Sequence, residues 1–515
     1  MEVPEPFEAE VGFIFSEDGV YEPDEITFTV KQGERVEIGD IVAIEHPSRQ
    51  GALVFYQVTE VPLKRKARDY EEDLAKMGVQ LVDPTRDYPR ARARQIGYAD
   101  VALQGSSPNI GELYMLIEHV RPFSKVYRPR PELIDALLRP SGVGVLIGSL
   151  YPSWKHRLVL DASRLLRQGL LVVGGVGTGK TTTMLSIIVR LIRALKEAGG
   201  SPHVLIIDKD GEYGSRELVE TAGEDGYVSI SADAISSVDF VDVDMYFERL
   251  KRELGFPDMR SSAAKALRSA VESVARDLGT LRLEPDFVER HVLAALKSAD
   301  PQHWTEVQQR FARWRQRHAR REHGHAYGPK EVLEELKART VVHIDLSATR
   351  DFGLAFEFLA NLLRMVYDEA LKNERFGCVV AIDEAHLFAP EKGGIELSPK
   401  ARDLGELLNL LATTGARNGV TLFVATQRPS LISKTITTQM GQNIIAHRVE
   451  DVDLDRIEEI MGPIARKVRV LPPGWALVKS HAAKIREPII VRVEPETYPV
   501  SKGKTTFERL LQPQG

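Results

Sequence analysis

Residues 174–181 read Gly-Gly-Val-Gly-Thr-Gly-Lys-Thr and fit the pattern G-x-x-x-x-G-K-[ST], a loop chemistry for holding phosphate. Glycines let the backbone turn its N–H groups inward around phosphate oxygens. A helix starting at the loop's end adds partial positive charge at the same place. The context suits the motif, because an apolar stretch at 170–174 precedes it and an amphipathic helical pattern at 181–195 follows. Gly175, Val176, Gly177, Thr178 and Gly179 are the expected nucleotide cradle. Lys180 is expected at the β- and γ-phosphates of ATP, Thr181 as a hydroxyl ligand to Mg²⁺, and Thr182 as a helper at the α-phosphate.

A second constellation lies about 200 residues on, where the apolar run 378–382 ends in Asp383 and Glu384. Two carboxylates leaving a buried strand suit one residue that holds the metal ion's water shell, here Asp383. The other, Glu384, would orient or deprotonate the attacking water. Gln427 ends a further apolar run and is a candidate sensor of the γ-phosphate, or a polar cap on the next segment. Asp208, Asp210 and Glu212 follow another run, and either reach metal-bound water or shape a turn. An ATPase assembled as a ring needs a cation delivered across the subunit boundary, and Arg417 is the candidate, with an ordinary surface arginine as the alternative. Arg448 could act on nucleotide too, or pair with Asp451 and Asp453.

The elements that must position these groups divide the chain. Residues 11–120 show short β-type segments, such as 26–30, 40–45 and 52–58, between turn clusters, which predicts a small β-barrel or sandwich. The stretch 64–94, rich in Lys and Arg, reads as an exposed excursion interrupting those strands, either a solvated face or a contact for DNA or a partner. Beyond a Pro-rich stretch near 122–131, apolar strand candidates at 170–174, 203–208, 340–346, 378–383, 421–426 and 443–449 alternate with helical patterns. That is the signature of an α/β core with a parallel sheet. An insertion at 241–336 has helical spacing at 262–278, 286–296 and 304–321. The last of these carries Arg310, Arg313, Arg315, Arg317, Arg320 and Arg321 around the helix rather than along one stripe, and His323 and His325 follow without a metal-ligand set.

Composition bounds the classes. A chain of 515 residues, 43% hydrophobic and 28% charged, exceeds one core and is not disordered, so several units are expected. No apolar run reaches the 18 or so residues that span a bilayer, and the acidic start is unlike a secretory signal, so a cytoplasmic protein is expected. The lone cysteine, Cys378, excludes a disulfide within the chain and any multi-cysteine zinc site. A net charge of −6 gives no global attraction to a polyanion, so nucleic-acid contact would need local clusters of Lys and Arg.

Taken in order, the loop 174–181, the segment 208–213, Ile382 to His386, and 425–430 followed by 443–453 resemble the HerA family, within the wider HerA and FtsK group. Residues 471–477, Leu-Pro-Pro-Gly-Trp-Ala-Leu, look like that family's C-terminal strand entry. The resemblance implies a RecA-like P-loop ATPase core with an N-terminal β-barrel and a helical insertion. It divides the chain into a HAS-barrel-like unit at 1–125, core at 126–240 and 337–500, insertion at 241–336 and a tail at 501–515. It implies a hexameric double-stranded DNA translocase or helicase, acting with a NurA-type nuclease in end resection. It also brings residues near Arg167 and 479–481 toward nucleotide, and the loop 390–402, with Lys392, Lys400 and Arg402, toward DNA. Two departures stand out: the loop's Gly-Val-Gly-Thr-Gly replaces the Thr-Gly-Ser-Gly of many relatives, and Arg417 lies one position from the family's arginine. Competing readings are a rotary ATP synthase subunit, a conjugation or packaging pump, and a nucleotide-dependent ring scaffold. Adjacent Asp383 and Glu384 argue against the first, since that family's catalytic glutamate follows shortly after its P-loop helix.

Overall fold

The computed structural model describes residues 5–15, 21–64, 88–104, 107–235, 243–256, 261–278, 281, 283, 285–319, 327–349, 352–391 and 398–500. The N-terminal strands are β1 Phe7–Ile14, β2 Glu25–Val30, β3 Ile41–Glu45, β4 Ala52–Glu60, β5 Leu63–Lys64, β6 Tyr88–Gln104, β7 Ser107–Ile110 and β8 Lys125–Pro129. Their hydrogen-bonded order is β2-β1-β8-β3-β4-β6, and β6 pairs with β2 as well, so six strands return to their starting point. Val11, Ile26, Phe28, Val42, Val54 and Tyr56 fill the interior. β6 holds β2 at one edge and β4 at the other along Arg92–Arg94, and its register with β4 shifts at Gly97, whose φ of 142° and approach to the Tyr114 carbonyl leave no room for a Cβ.

This arrangement corrects one expectation. Arg90, Arg92 and Arg94 do not lie on an exposed excursion but in β6, paired with Thr29, Thr27 and Glu25 of β2. The sequence Arg-Ala-Arg-Ala-Arg has the period of a strand, and Ala91 and Ala93 are fully buried between the flanking strands. The basic residues Arg65, Lys66, Arg68 and Arg86 fall outside the described residues.

The larger sheet is built from β9 Gly144–Leu150, β10 Arg157–Asp161, β11 Leu170–Val173, β12 His203–Asp208, β13 Tyr227–Ser231, β14 Val341–Asp345, β15 Cys378–Ile382, β16 Val420–Thr426, β17 Asn443–Ala446, β18 Trp475–Ser480 and β19 Ile489–Val493. Its order is β10-β9-β19-β18-β17-β11-β16-β15-β12-β14-β13. From β17 to β13 every pairing is parallel, and the four remaining strands extend the sheet antiparallel. The parallel strands are apolar on both faces because both are covered: Leu170 and Val172 face the P-loop helix Lys180–Glu197, while Leu171 and Val173 join the cluster that includes Phe358, Leu362 and Leu408. All six core strands read from the sequence are present, with ends shifted by up to three residues. β9, β10, β13 and β19 had no assignment, being short and half polar or antiparallel additions.

The segment between β13 and β14 is mostly helical where described: Val243–Glu253, Ser262–Leu278, a continuous run from Pro285 to Ala299 with a π-helical stretch at Val288–Leu293, Pro301–Ala319 and, packed on the main sheet, Pro329–Ala338. It has its own core of Tyr246, Phe247, Leu267, Val271, Val292, Phe311 and Trp314. Two of the described arginines of its last long helix are engaged internally. Arg310 stacks 4.3 Å from the Phe256 ring centre and donates to the Gly255 carbonyl, while Arg315 pairs with Asp286 and Glu289. The side chains of Arg317, Arg320, Arg321, His323 and His325 lie outside the described residues.

Candidate nucleotide site

The loop after β11 is anchored at its base and open at its tip. Gly174 N–H donates to the Thr426 carbonyl at 3.3 Å and Gly175 N–H to the Arg448 carbonyl at 2.8 Å, while Gly474 N–H donates to the Thr178 carbonyl at 2.9 Å. No bond from the N–H groups of Val176, Gly177 or Gly179 to a described residue occurs, and Val176 is 87% exposed. Gly177 and Gly179 adopt φ of 72° and 109°, conformations that would strain any other residue. A Cβ on Gly174 would come within 2.8 Å of both Thr178 Oγ1 and His447 Cβ. The glycines therefore shape a concave run of free donors at the start of the helix, and Thr181 and Thr182 sit half-buried in its first turn.

Lys180 is buried and meets both carboxylates that the sequence singled out. Its Nζ lies 3.1 Å from Asp383 Oδ1 and also donates to Glu384 Oε1. Parallel register makes this possible: β15 stands two strands from β11, and both release their chains at the same sheet edge. Glu384 has φ of 48°, a left-handed turn that folds its carboxylate back toward the lysine. Its second oxygen accepts from the Gln427 N–H at 3.3 Å and lies 3.3 Å from His386 Nδ1. Burial disfavours the Lys180 ammonium, but the two carboxylates outweigh it and hold the pKa above its ordinary value. Burial pushes Asp383 up to about 6 against the pull of Lys180, with Glu384 adding to the rise. Burial acts the same way on Glu384, yet the bonds from His386 and Lys180 bring it down to about 2.

The other candidates divide by sheet edge. Gln427, half-buried, stands at the carboxyl end of β16 beside Glu384. Arg448 is exposed next to the loop, and the acids offered as its partners are engaged elsewhere, Asp451 with Arg469 and Asp453 with Arg428. Asp208 is turn-shaping: its oxygens accept from the N–H groups of Asp210, Gly211 and Tyr213 and from His343 Nε2. Arg417 is exposed in the turn leading into β16, at the edge opposite the P-loop of its own chain. Arg167, ahead of β11, and Lys479 to His481, ending β18, lie at that same opposite edge, so they do not approach the nucleotide loop of their own chain. In the loop 390–402, residues 392–397 are outside the description, and Lys400 is an ion-pair partner of Glu357 rather than a free phosphate contact.

Three neighbours had no role assigned from the sequence. His386 Nδ1 bridges Glu384 and Thr426 Oγ1, 3.1 Å away. His447 bonds Thr183 Oγ1 of the P-loop helix at 2.8 Å and the Trp475 carbonyl at 2.9 Å. Gly474 clasps the loop from β18's approach. All three fall within segments that resemble the HerA family, 382–386, 443–453 and 471–477, but their contacts carry no local signal.

Residues 145–366 match the family model described as the central domain of the helicase HerA. Over that stretch the chain is similar to the ATPase domain of HerA. Residues 324–448, overlapping it, also match the model for the ATPase family associated with various cellular activities. The DNA double-strand break repair helicase HerA of Pyrococcus furiosus is 23% identical over 421 residues, covering 73% of each chain. A probable helicase of Methanocaldococcus jannaschii is 22% identical over 530 residues, covering 94% of this chain and 90% of its own. Among solved structures, VirB4 of Thermoanaerobacter pseudethanolicus aligns over 72% of this chain and 99% of its own, with 14% identity and a TM-score of 0.40. The HerA match spans the P-loop and helical segment, and the second match takes in Asp383, Glu384 and Gln427. In the described residues no helix is long and apolar enough to cross a membrane, and no group of three or more metal-ligating side chains occurs.

Proposed function

We propose that this chain is an ATP-driven translocase or helicase on double-stranded DNA, working as a homo-hexamer with a NurA-type nuclease in DNA-end resection and double-strand break repair. One observation carries the ATPase part. Lys180 and the pair Asp383 and Glu384, 203 and 204 residues apart in sequence, meet in one buried ion-paired cluster beside a loop of free N–H donors. The name of the Pyrococcus furiosus relative supports the DNA part. In this reading 1–125 form a HAS-barrel-like unit, 126–240 and 337–500 the RecA-like core, 241–336 a helical insertion and 501–515 a tail.

The residues fit ATP with Mg²⁺. Gly175 to Gly179 cradle the phosphates, and Thr181 with Asp383 would hold the ion, which when bound neutralises charge developing on the β- and γ-oxygens. Lys180 exchanges its carboxylate partners for phosphate oxygens as the triphosphate enters. Glu384 thereby loses the cation that keeps its pKa low and becomes a better base. It accepts a proton from the water whose oxygen bonds to the γ-phosphorus, and the bond to the β–γ bridging oxygen breaks to release ADP. Gln427 reports the γ-phosphate from β16. Arg417, at the far edge of the sheet, serves the nucleotide of a neighbouring subunit.

ATP turnover measured with and without blunt duplex DNA tests the reading. Duplex-stimulated hydrolysis is expected, and Lys180→Ala should abolish it. Turnover indifferent to DNA would leave an ATPase ring that is a scaffold rather than a motor.

A further inference from the structure

In-line displacement fixes the direction in which a bound triphosphate runs. The attacking and leaving oxygens stand on opposite sides of the γ-phosphorus, so with Glu384 at β15 holding the water, the ADP part extends away from β15. That direction leads past β11 and β17 toward β18. β18 runs antiparallel to β17, so its first residue, Trp475, stands at the same sheet edge as the nucleotide loop. The approach to β18 is Pro472-Pro473-Gly474, with both prolines exposed. Gly474 N–H donates to the Thr178 carbonyl at 2.9 Å, and its Cα lies 3.5 Å from where a Cβ on Gly179 would stand. Gly474 also borders open space, since a Cβ built on it would meet nothing within 4 Å. Aromatic rings flank this turn. The Trp475 ring centre lies 4.5 Å from that of Trp154 and 5.8 Å from that of Tyr151, and all three side chains are half-buried. Trp154, between β9 and β10, has φ of 56°, a conformation costly for a bulky residue. Arg492, opposite Trp475 in the β18–β19 pairing, lies 5.2 Å from the Trp154 ring centre. The Trp475 carbonyl accepts from His447, which also bonds Thr183 of the P-loop helix, so the aromatic group is tied to the loop through backbone as well.

We propose that the purine base of ATP is held at this end of the loop, over the open turn at Gly474 and against the aromatic group of Trp475 and Trp154. The N–H donors of the loop recognise phosphate and are blind to the base, whereas aromatic faces stack on planar bases. This rests on the ATP reading above and adds the half of the ligand that the phosphate contacts leave unrecognised.

Inorganic tripolyphosphate carries the phosphates without a base, so comparing it with ATP isolates the proposed contact. The full chain is titrated calorimetrically with each ligand in Mg²⁺ buffer, as wild type, Trp154→Ala and Trp475→Leu. The expected result is tighter wild-type binding of ATP than of tripolyphosphate, ATP affinity lowered about tenfold in each variant, and tripolyphosphate affinity unchanged. Unchanged ATP affinity in both variants overturns the proposal. So does an equal loss for both ligands in Trp154→Ala, since the ring would then only support the loop. Wild-type tryptophan emission answers the same question without a substitution: ATP should quench it and tripolyphosphate should not, and equal responses overturn the base contact. A wild-type chain that binds the two ligands equally well loses only the base site. One that binds neither loses the ATP reading as well.

Discussion

At Glu384 three donors converge, Lys180, His386 and the Gln427 N–H, on a residue in left-handed backbone. On the proposed ATPase reading, in which Glu384 is the base, that geometry parks it in a poor state for taking a proton and makes its release part of the nucleotide cycle. Glu384→Gln keeps the shape and removes the proton acceptor, so kcat should fall by about 10² to 10⁴ with ATP affinity retained. A filter-binding assay showing persistent ATP on the variant checks this, and normal turnover would refute the role. Gly179 makes a different demand. Space for a Cβ exists, with Gly474 and His447 3.5 Å away, but φ of 109° disfavours any side chain. Gly179→Ala should therefore weaken nucleotide binding about tenfold, the effect of roughly 1–2 kcal/mol of backbone strain. Calorimetric titration with ATP decides, and unaltered affinity would show that the loop tolerates the strain.

Among the elements, β17, the P-loop helix and the approach to β18 are joined through His447. Buried between Thr183 and the Trp475 carbonyl, its imidazole is held neutral, the pKa pushed down to about 4 by burial. The unfolded chain binds this proton near pH 6.5 and the folded chain only near 4, so in that window the unfolded state carries more protons. Stability from this residue is complete above pH 6.5, falls as pH drops toward 4, and the loss approaches roughly 3 kcal/mol. Urea midpoints across pH 7 to 4 should fall for the wild type and fall less for His447→Gln, which can keep both hydrogen bonds without titrating there. Parallel slopes for the two proteins would discard the assignment. The strands themselves were readable because burial on both faces demands unbroken apolar runs such as Cys378–Ile382. Arg90 to Arg94 misled for the complementary reason: charge density masked a two-residue period whose alanines do the packing.

For the whole molecule, the decisive feature is that a parallel sheet has two unlike edges. The nucleotide loop, Asp383, Glu384 and Gln427 occupy one, and Arg417, Arg167 and Lys479 to His481 the other. If Arg417 completes a neighbour's site, two inactive variants should rescue each other. Lys180→Ala retains the arginine, Arg417→Ala retains the loop, and mixed rings pair the intact halves. ATPase activity should reappear on mixing and subunit exchange. No recovery, with mixed assemblies verified by mass, would sink action across a subunit boundary.

The chain's order of residues was enough to single out the loop 174–181, the carboxylate pair and the alternation of apolar strands and helices. Those features are local: a glycine's conformational range, a run of buried side chains and a helix start are determined within a dozen residues. Other features required contacts between distant positions. Only the folded sheet decides that Lys180 pairs with Asp383 and Glu384, that His447 and Gly474 brace the loop, and that Asp208 is spent on its own turn. Such relations depend on which strands become neighbours and in what register, and that choice is made by packing across the entire sheet rather than by any one segment.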